Sequence, residues 1–122
     1  MARAVQASER AYCPYSNFPV GAALLCADGI VFDGANVENG VNSLSICAER
    51  TALFKAISEG KHDFVKIAIS CPKAELSSPC GACRQVLFEH APDMQVLMAK
   101  ADGSVLRTTV RDLLPHGFRL RS

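Results

Sequence analysis

Hydrophobic and polar residues follow two different spacings along the chain, and these spacings predict alternating strands and helices. Apolar side chains at every second position are typical of half-buried strands, whereas spacings of three and four place them on one face of a helix. The strand pattern is clear at Val65, Ile67, Ile69 and Cys71. The predicted strands cover residues 20–26, 30–37, 65–71, 96–99 and 104–110. The predicted helices cover residues 1–12, 46–59 and 80–90, with a short closing helix at Leu113 and Leu114 that Thr109 and Asp112 would cap.

Two Asp-Gly pairs separate neighbouring strands and predict hairpin turns at Asp28-Gly29 and Asp102-Gly103. Between these hairpins, strands and helices alternate. The order predicts the α/β class, as a three-layer α/β/α arrangement around a mixed sheet of about five strands. The chain has 122 residues, which suits a single domain over residues 1–122 that buries about 65 to 70% of its unfolded surface.

The charge of the chain argues against a polyanionic partner. The formal net charge is +1 and the basic residues are scattered, so no stripe is available to grip a phosphate backbone. We therefore expect a neutral small substrate and no nucleic acid. The first ten residues hold no apolar signal core and no stretch approaches the length of a membrane span, so we expect a cytoplasmic protein without membrane contact.

Three of the six cysteines have the spacing of a metal site. Cys80 and Cys83 are three residues apart in Ser-Pro-Cys-Gly-Ala-Cys, and Cys47 lies in Ser-Ile-Cys-Ala-Glu-Arg. Three thiolates can hold a tetrahedral Zn²⁺ and leave its fourth position open, which is the pattern of catalytic zinc. We expect one Zn²⁺ per chain.

Glu49 follows the first of these thiolates by two residues and is the predicted catalytic proton carrier. Zinc-dependent deaminases combine a ligand-x-Glu segment with a later Pro-Cys-x-x-Cys. Each segment is expected to open a helix, with Ser78 as N-cap and Pro79 as the first helical residue of the second one. Three thiolates exceed the charge of the zinc by one, and the helix N-termini together with Arg50, as a hydrogen-bond donor behind the ligands, would offset the excess.

Other interpretations of the cysteines remain open on spacing alone. Cys80-x-x-Cys83 also occurs in thioredoxin-like redox pairs and in structural zinc sites, and a zinc-stabilised interaction module would use the same ligands. Six cysteines could also pair as disulfides, although a reducing compartment disfavours this. The remaining three, which sit among apolar neighbours, are expected to be small buried side chains: they are Cys13, Cys26 and Cys71.

Further motifs resemble the cytidine deaminase family, in its small homotetrameric zinc-dependent branch. The matching segments are Tyr-Cys-Pro-Tyr-Ser-Asn-Phe-Pro-Val-Gly-Ala-Ala-Leu-Leu at 12–25, Gly-Ala-Asn-Val-Glu-Asn at 34–39, Cys-Gly-Ala-Cys-Arg-Gln-Val at 80–86 and Asp-Leu-Leu-Pro-His-Gly-Phe at 112–118. The resemblance covers nearly the whole chain. It implies the cytidine deaminase-like fold and assembly into a homotetramer. Where members of the family usually carry Tyr after Asn-x-Glu-Asn-x-x, this chain has Asn42.

The resemblance also implies the residues that bind the substrate. Asn36 and Glu38 would hydrogen-bond the ribose, and Phe18 would line the base pocket. Backbone groups around Cys47 and Ala48 would meet the pyrimidine. Phe118 would reach into the pocket of a neighbouring subunit.

The function expected from the motifs is hydrolytic deamination of cytidine and 2′-deoxycytidine to uridine and 2′-deoxyuridine, with release of ammonia, in pyrimidine salvage. A deaminase for another cytosine nucleoside, such as a nucleoside antibiotic, is the alternative. Glu38 disfavours phosphorylated substrates, because a carboxylate suits a free ribose hydroxyl and repels a phosphate.

Overall fold

The computed structural model describes residues 1–120, which form five strands, four α-helices and one 3₁₀ turn. The strands are β1 (Gly21–Cys26), β2 (Val31–Ala35), β3 (Phe64–Ser70), β4 (Gln95–Ala99) and β5 (Val105–Thr109). The helices are α1 (Ala2–Ser8), α2 (Ala48–Ser58), α3 (Gly81–His90) and α4 (Val110–Leu113), and the 3₁₀ turn is Asn42–Leu44. No helix in this part of the chain has the length and apolar character needed to cross a membrane.

The five strands form one sheet in the order β2-β1-β3-β4-β5. β3 and β4 are parallel, with α3 as their crossover, and the other neighbouring pairs are antiparallel. This confirms the predicted mixed sheet. Both Asp-Gly turns form as predicted, with Gly29 at φ 88° and Gly103 at φ 89°, a region that L side chains rarely adopt.

Helices cover the two faces of the sheet unequally. α2, α3 and α4 pack on one face and α1 alone packs on the other, so the three-layer prediction is confirmed. α2 lies so close to β2 that a Cβ at Gly34 would come within 2.7 Å of the Ala52 amide nitrogen. The fully buried side chains of the larger core include Leu24, Leu53, Ile67, Leu87, Val96 and Val110.

Helix α1 is shorter than predicted. It ends at Ser8 and not at Tyr12. The Ser8 hydroxyl donates to the Val5 carbonyl at 2.6 Å, and such a bond competes with the regular helical ladder. Tyr12 then pairs with residues 36–38, because its amide donates to the Asn36 carbonyl and its carbonyl accepts from the Glu38 amide. This pairing holds the backbone at Tyr12 in an extended conformation, where the sequence predicted a further helical turn.

The predicted N-cap of α3, Ser78, was wrong, and the predicted start of α2 was early by two residues. Cys80 is the N-cap of α3, in place of Ser78, and Gly81 is its first residue. Cys47 is the N-cap of α2, which begins at Ala48. Both cysteines have extended backbone angles, and the Cys80 sulfur accepts a hydrogen bond from the Cys83 amide at 3.4 Å. Each thiol therefore lies at the end of a helix.

Candidate active site

The candidate site lies at one end of the sheet, where three strand ends meet. Gly21, at the start of β1, pairs with Ala35 at the end of β2 and with Ser70 at the end of β3. The chain leaves β2 toward α2 and leaves β3 toward α3. The two helices contact each other and present their N-termini at this end. Residues 47 and 80, which are 33 positions apart, are thereby brought together.

The three predicted thiols converge there. Cys47 Sγ lies 3.8 Å from Cys80 Sγ, and Cys80 Sγ lies 3.3 Å from Cys83 Sγ. All three sulfur atoms are within 4.8 Å of one another. A tetrahedral zinc with bonds of 2.3 Å requires its sulfur ligands to be about 3.8 Å apart. The donor set therefore fits Zn²⁺ in both chemistry and spacing, and it contributes three ligands.

Positive charge surrounds these sulfurs. Each helix N-terminus carries a partial positive charge, and Arg50 Nη2 donates to Cys47 Sγ at 3.4 Å. Hydrogen bonds from Cys83 and Arg50 lower the pKa of the Cys47 thiol to about 5, although its partial burial opposes this. Cys47 thus favours the thiolate, the form that binds metal, whereas its hydrogen bond to Cys47 and its burial raise the pKa of the Cys83 thiol. Arg50 Nε is buried and has no hydrogen-bond partner within residues 1–120.

Glu49 lies in the first turn of α2 with its side chain turned inward, 4% exposed. Burial, with a further contribution from the Cys47 charge, raises the pKa of its carboxyl to about 7. Its carboxylate also interacts with the Cys83 thiol. A group with a pKa near neutral can both accept and donate a proton at physiological pH. Glu49 therefore has the burial and the acidity of a general acid-base.

A small set of backbone pairings brings the predicted ribose-binding residues next to the thiols. Val37 forms bridges with Tyr12 on one side and with Ile46 on the other. Val37 and Ile46 exchange both backbone hydrogen bonds at 2.9 Å. Because Ile46 directly precedes Cys47, the segment that carries Asn36 and Glu38 is fixed to the metal site through the backbone.

The side chains of Asn36 and Glu38 hold the loop that precedes β1. Asn36 Oδ1 accepts from the Val20 amide and its Nδ2 donates to the Phe18 carbonyl, each at 2.9 Å. Glu38 Oε1 accepts from the amides of Tyr15 and Ser16 at 3.0 and 3.2 Å, while Oε2 accepts from the Ser16 hydroxyl at 2.5 Å. One N–H of Asn36 and lone pairs of Glu38 Oε2 remain for a ligand.

The structure places the other predicted residues at different depths. Ala48 is fully buried directly after Cys47, Phe18 is 49% exposed and Phe118 is 65% exposed. The Phe118 carbonyl accepts from Gln85 Nε2 at 3.0 Å. No role was expected for Ser16 or Arg84 from the sequence, yet both contact the site loops. Both lie within motifs quoted above, but a motif match does not reveal which atoms they bind.

Comparisons with known proteins identify the family. The family model of the cytidine and deoxycytidylate deaminase zinc-binding region matches residues 1–99. Cytidine deaminase from Halalkalibacterium halodurans is 53% identical over 116 residues, covering 94% of this chain and 88% of that protein. A crystal structure of cytidine deaminase from Burkholderia pseudomallei superposes with a TM-score of 0.92 at 48% identity, covering 96% of this chain and 94% of that one.

A relative with another name is more distant. Blasticidin-S deaminase from Bacillus cereus is 33% identical over 104 residues, which cover 79% of this chain and 74% of that protein. Family, fold and metal chemistry therefore agree: with three converging thiols and a buried glutamate beside them, the chain belongs to the cytidine and deoxycytidylate deaminase zinc-binding family, and zinc is its cofactor.

Proposed function

We propose that the protein is a cytidine deaminase, which hydrolyses cytidine and 2′-deoxycytidine to uridine and 2′-deoxyuridine and releases ammonia. The observation that carries the proposal is the position of Glu49, buried in the first turn of α2 beside three thiols that fit zinc. A structural zinc site or an interaction module has no need for a buried carboxyl with a pKa near 7 at that place.

Cys47, Cys80 and Cys83 would hold the zinc, which would supply a water molecule of lowered pKa as the nucleophile. Glu49 would take one proton from the attacking water and deliver it to nitrogen 3 of the cytosine ring as the water oxygen bonds to carbon 4. Glu49 would then take the remaining proton from the oxygen on carbon 4 and give it to the amino group, so that the bond between carbon 4 and this nitrogen breaks, the carbonyl of uracil forms and ammonia leaves. Arg50, donating to Cys47 Sγ, offsets the excess negative charge of the three thiolates.

The ribose is held by Asn36 and Glu38, and the base lies against Phe18 with Ala48 behind it. Support comes from the free N–H of Asn36 and the free lone pairs of Glu38, on side chains already fixed by the loop of residues 15–20. Preorganised polar groups bind a ligand at a smaller entropic cost. A carboxylate at this position favours a nucleoside over a nucleotide, because it would repel a phosphate.

The active form is a homotetramer in which Phe118 completes the site of a neighbouring subunit, and it serves pyrimidine salvage in the cytoplasm. Large apolar side chains that are between 49% and 93% exposed support assembly. They are Tyr12, Tyr15, Phe18, Val41, Leu44, Phe118 and Leu120. Five of them fall in two short segments, residues 12–18 and 41–44, and clustered exposed apolar side chains are typical of surfaces that bind another protein. Asn42, in the place of the usual Tyr, opens the exposed 3₁₀ turn.

The proposal is tested by mixing the zinc-loaded protein with each member of a substrate panel and following the loss of substrate absorbance. The panel contains cytidine, 2′-deoxycytidine, cytidine monophosphate, free cytosine and blasticidin S. We expect turnover of both nucleosides and a much lower kcat/KM for the nucleotide and for free cytosine. Zinc removal should abolish turnover and zinc addition should restore it.

Each other outcome has a defined meaning. Turnover of blasticidin S alone would favour the antibiotic deaminase, which the Bacillus cereus relative brings into consideration. Equal kcat/KM for cytosine and cytidine would contradict the ribose role of Asn36 and Glu38. Tight zinc binding without turnover of any compound would favour an interaction module.

A further inference from the structure

Arg84, in the first turn of α3, donates to three acceptors that lie on different segments. Its Nε donates to the Pro79 carbonyl at 2.9 Å, and Nη2 donates to the Ser78 hydroxyl at 2.8 Å. Its Nη1 donates to the Leu113 carbonyl at 2.9 Å, at the end of α4. The guanidinium is planar and offers five donors in a fixed geometry. Arg84 therefore fixes the segment before α3 relative to the end of α4.

The bond to Pro79 bears directly on the metal site. The Pro79 carbonyl belongs to the peptide unit whose nitrogen is that of Cys80. Because a peptide unit is planar, holding this oxygen fixes the plane from which the Cys80 side chain departs. The direction of the Cys80 sulfur is therefore coupled to the Arg84 side chain.

The two ligands on α3 differ in what holds them. Cys83 is fully buried and is fixed by the packing around it, whereas Cys80 is exposed. Upstream, Ser77 anchors the loop, since its amide donates to the Ala99 carbonyl and its hydroxyl accepts from the Cys71 amide. Ser78 and Pro79 link Ser77 to Cys80, and Arg84 donates to the hydroxyl of the first and to the carbonyl of the second. Packing holds the fully buried ring of Pro79, and the bonds from Arg84 add the polar contacts that set the orientation of its carbonyl.

We propose that Arg84 is the positioning residue for the zinc ligand Cys80, which it holds by fixing the preceding peptide against the end of α4. The inference deepens the proposed function and rests on Cys80 as a zinc ligand. Partners that orient metal ligands typically change metal affinity by about 10 to 100-fold when they are removed. Arg84 acts here on the backbone that carries the ligand and not on the sulfur itself.

The test measures how fast the zinc-loaded protein transfers its metal to a chromophoric chelator, independently of any deamination. The variants are Arg84→Met, which keeps the aliphatic stem, and Arg84→Lys, which keeps the charge but offers a single nitrogen for three acceptors. We expect both to release zinc about 10 to 100-fold faster than the parent chain. The cobalt-substituted variants should also show a shifted thiolate charge-transfer band, which reports the geometry at sulfur.

Two controls separate this role from a general loss of stability. Gln85→Ala removes the neighbouring α3 contact to the Phe118 carbonyl and leaves the Cys80 turn untouched. Val96→Ala weakens the fully buried core on β4, away from the thiols. Both should release zinc within about twofold of the parent rate. If Arg84→Met fails to fold, Arg84→Lys and Ser78→Ala, which loses one acceptor, still give a graded series.

Arg84 variants that release zinc no faster than Val96→Ala at an equal loss in thermal stability would overturn the proposal. Failure of the proposed function is distinguished from this result by the parent chain and by Cys80→Ala. A parent chain that binds zinc but does not deaminate cytidine contradicts the function and leaves the Arg84 test valid. If a Cys80→Ala chain retained zinc as tightly as the parent, Cys80 would not be a zinc ligand, and the inference would be overturned.

Discussion

At the scale of single residues, Glu49 shows how its surroundings set its chemistry. An exposed Glu has a pKa near 4.3 and would be a weak proton acceptor from water. Burial of Glu49 to 4% exposure, together with the charge on Cys47, raises the pKa of its carboxyl to about 7. Because Glu49 follows Cys47 by two residues, its carboxyl also lies at the candidate metal site.

Glu49→Gln is expected to retain zinc and fold but to lose turnover. Glutamine has nearly the same size but can neither accept nor release a proton at neutral pH. General acid-base catalysis is worth about 10² to 10⁴-fold, and the proposed mechanism has Glu49 move two protons, so the loss in kcat should reach at least the upper figure. The measurements are kcat with cytidine and zinc content by elemental analysis.

Glu59→Gln is the matched control for this variant, since Glu59 is exposed at the other end of α2. It should keep the parent kcat. A Glu49→Gln chain with a kcat near that of the parent would remove Glu49 from the mechanism, whatever its zinc content.

At the scale of elements, a charge cluster around Asp33 joins α1, β2 and α2. Arg3 and Arg10 donate to its two carboxylate oxygens at 3.1 and 3.0 Å. Lys55 lies 3.7 Å from the same carboxylate. Although burial acts in the opposite direction, these partners hold the pKa of Asp33 below its ordinary value. Asp33 is therefore ionised at neutral pH and attaches the short helix α1 to the edge strand.

Asp33→Asn should lower the free energy of unfolding at pH 7 by about 1 kcal/mol, because three charge interactions are lost and exposed ion pairs contribute up to about 1 kcal/mol each. In 1 M salt the difference should shrink, since the charges are then screened. Thermal unfolding of the zinc-loaded protein measures both quantities.

Asp93→Asn provides the comparison, because Asp93 pairs with Arg111 at the surface, with its side chain 81% exposed. We expect a smaller change for this variant than for Asp33→Asn, because water screens an exposed pair. Equal effects of the two substitutions would show that the Asp33 cluster contributes no more than an isolated surface pair.

At the scale of the whole molecule, the large apolar side chains near residue 120 lie uncovered on the surface. Phe118 is 65% exposed and Leu120 is 93% exposed, although the Phe118 carbonyl is held by Gln85 and Arg119 Nη1 donates to the Glu89 carbonyl at 3.2 Å. The backbone is fixed while the aromatic ring remains uncovered. This arrangement suits a ring that binds a neighbouring subunit.

Mixing two inactive chains tests whether Phe118 acts across an interface. Glu49→Gln and Phe118→Ala, each impaired alone, should regain activity after subunit exchange. In an equal mixture, about one quarter of the sites in a tetramer would combine an intact Glu49 with an intact Phe118 from a neighbour. Activity with cytidine, measured after exchange is verified by mass spectrometry, gives the recovered fraction.

The matched control mixes Glu49→Gln with Cys47→Ser. Each of these substitutions disables the site of the subunit that carries it, so subunit exchange cannot produce an intact site and no activity should return. If the Phe118 mixture also stays inactive after proven exchange, Phe118 acts within its own subunit.

The features that the sequence revealed are those encoded over short distances. The spacing of Cys80 and Cys83, the offset of Glu49 from Cys47 and the Asp-Gly turns each depend on neighbouring residues. Strand and helix periodicity likewise reflects local burial patterns, which is why the α/β order and the mixed sheet could be predicted. Zinc chemistry followed from the residue types, since three thiolates and a carboxylate have few other uses together.

The tertiary structure decided the features that depend on residues far apart in the chain. α1 ends at Ser8 because Tyr12 pairs with residues 36–38, and α3 starts at Gly81 with Cys80 as its N-cap. The raised pKa of Glu49 requires the burial that α2 acquires against the sheet. Arg84 meets Leu113 only because α3 and α4 pack together. Local propensity cannot anticipate such contacts, because each one forms only after the long-range packing of the chain is complete.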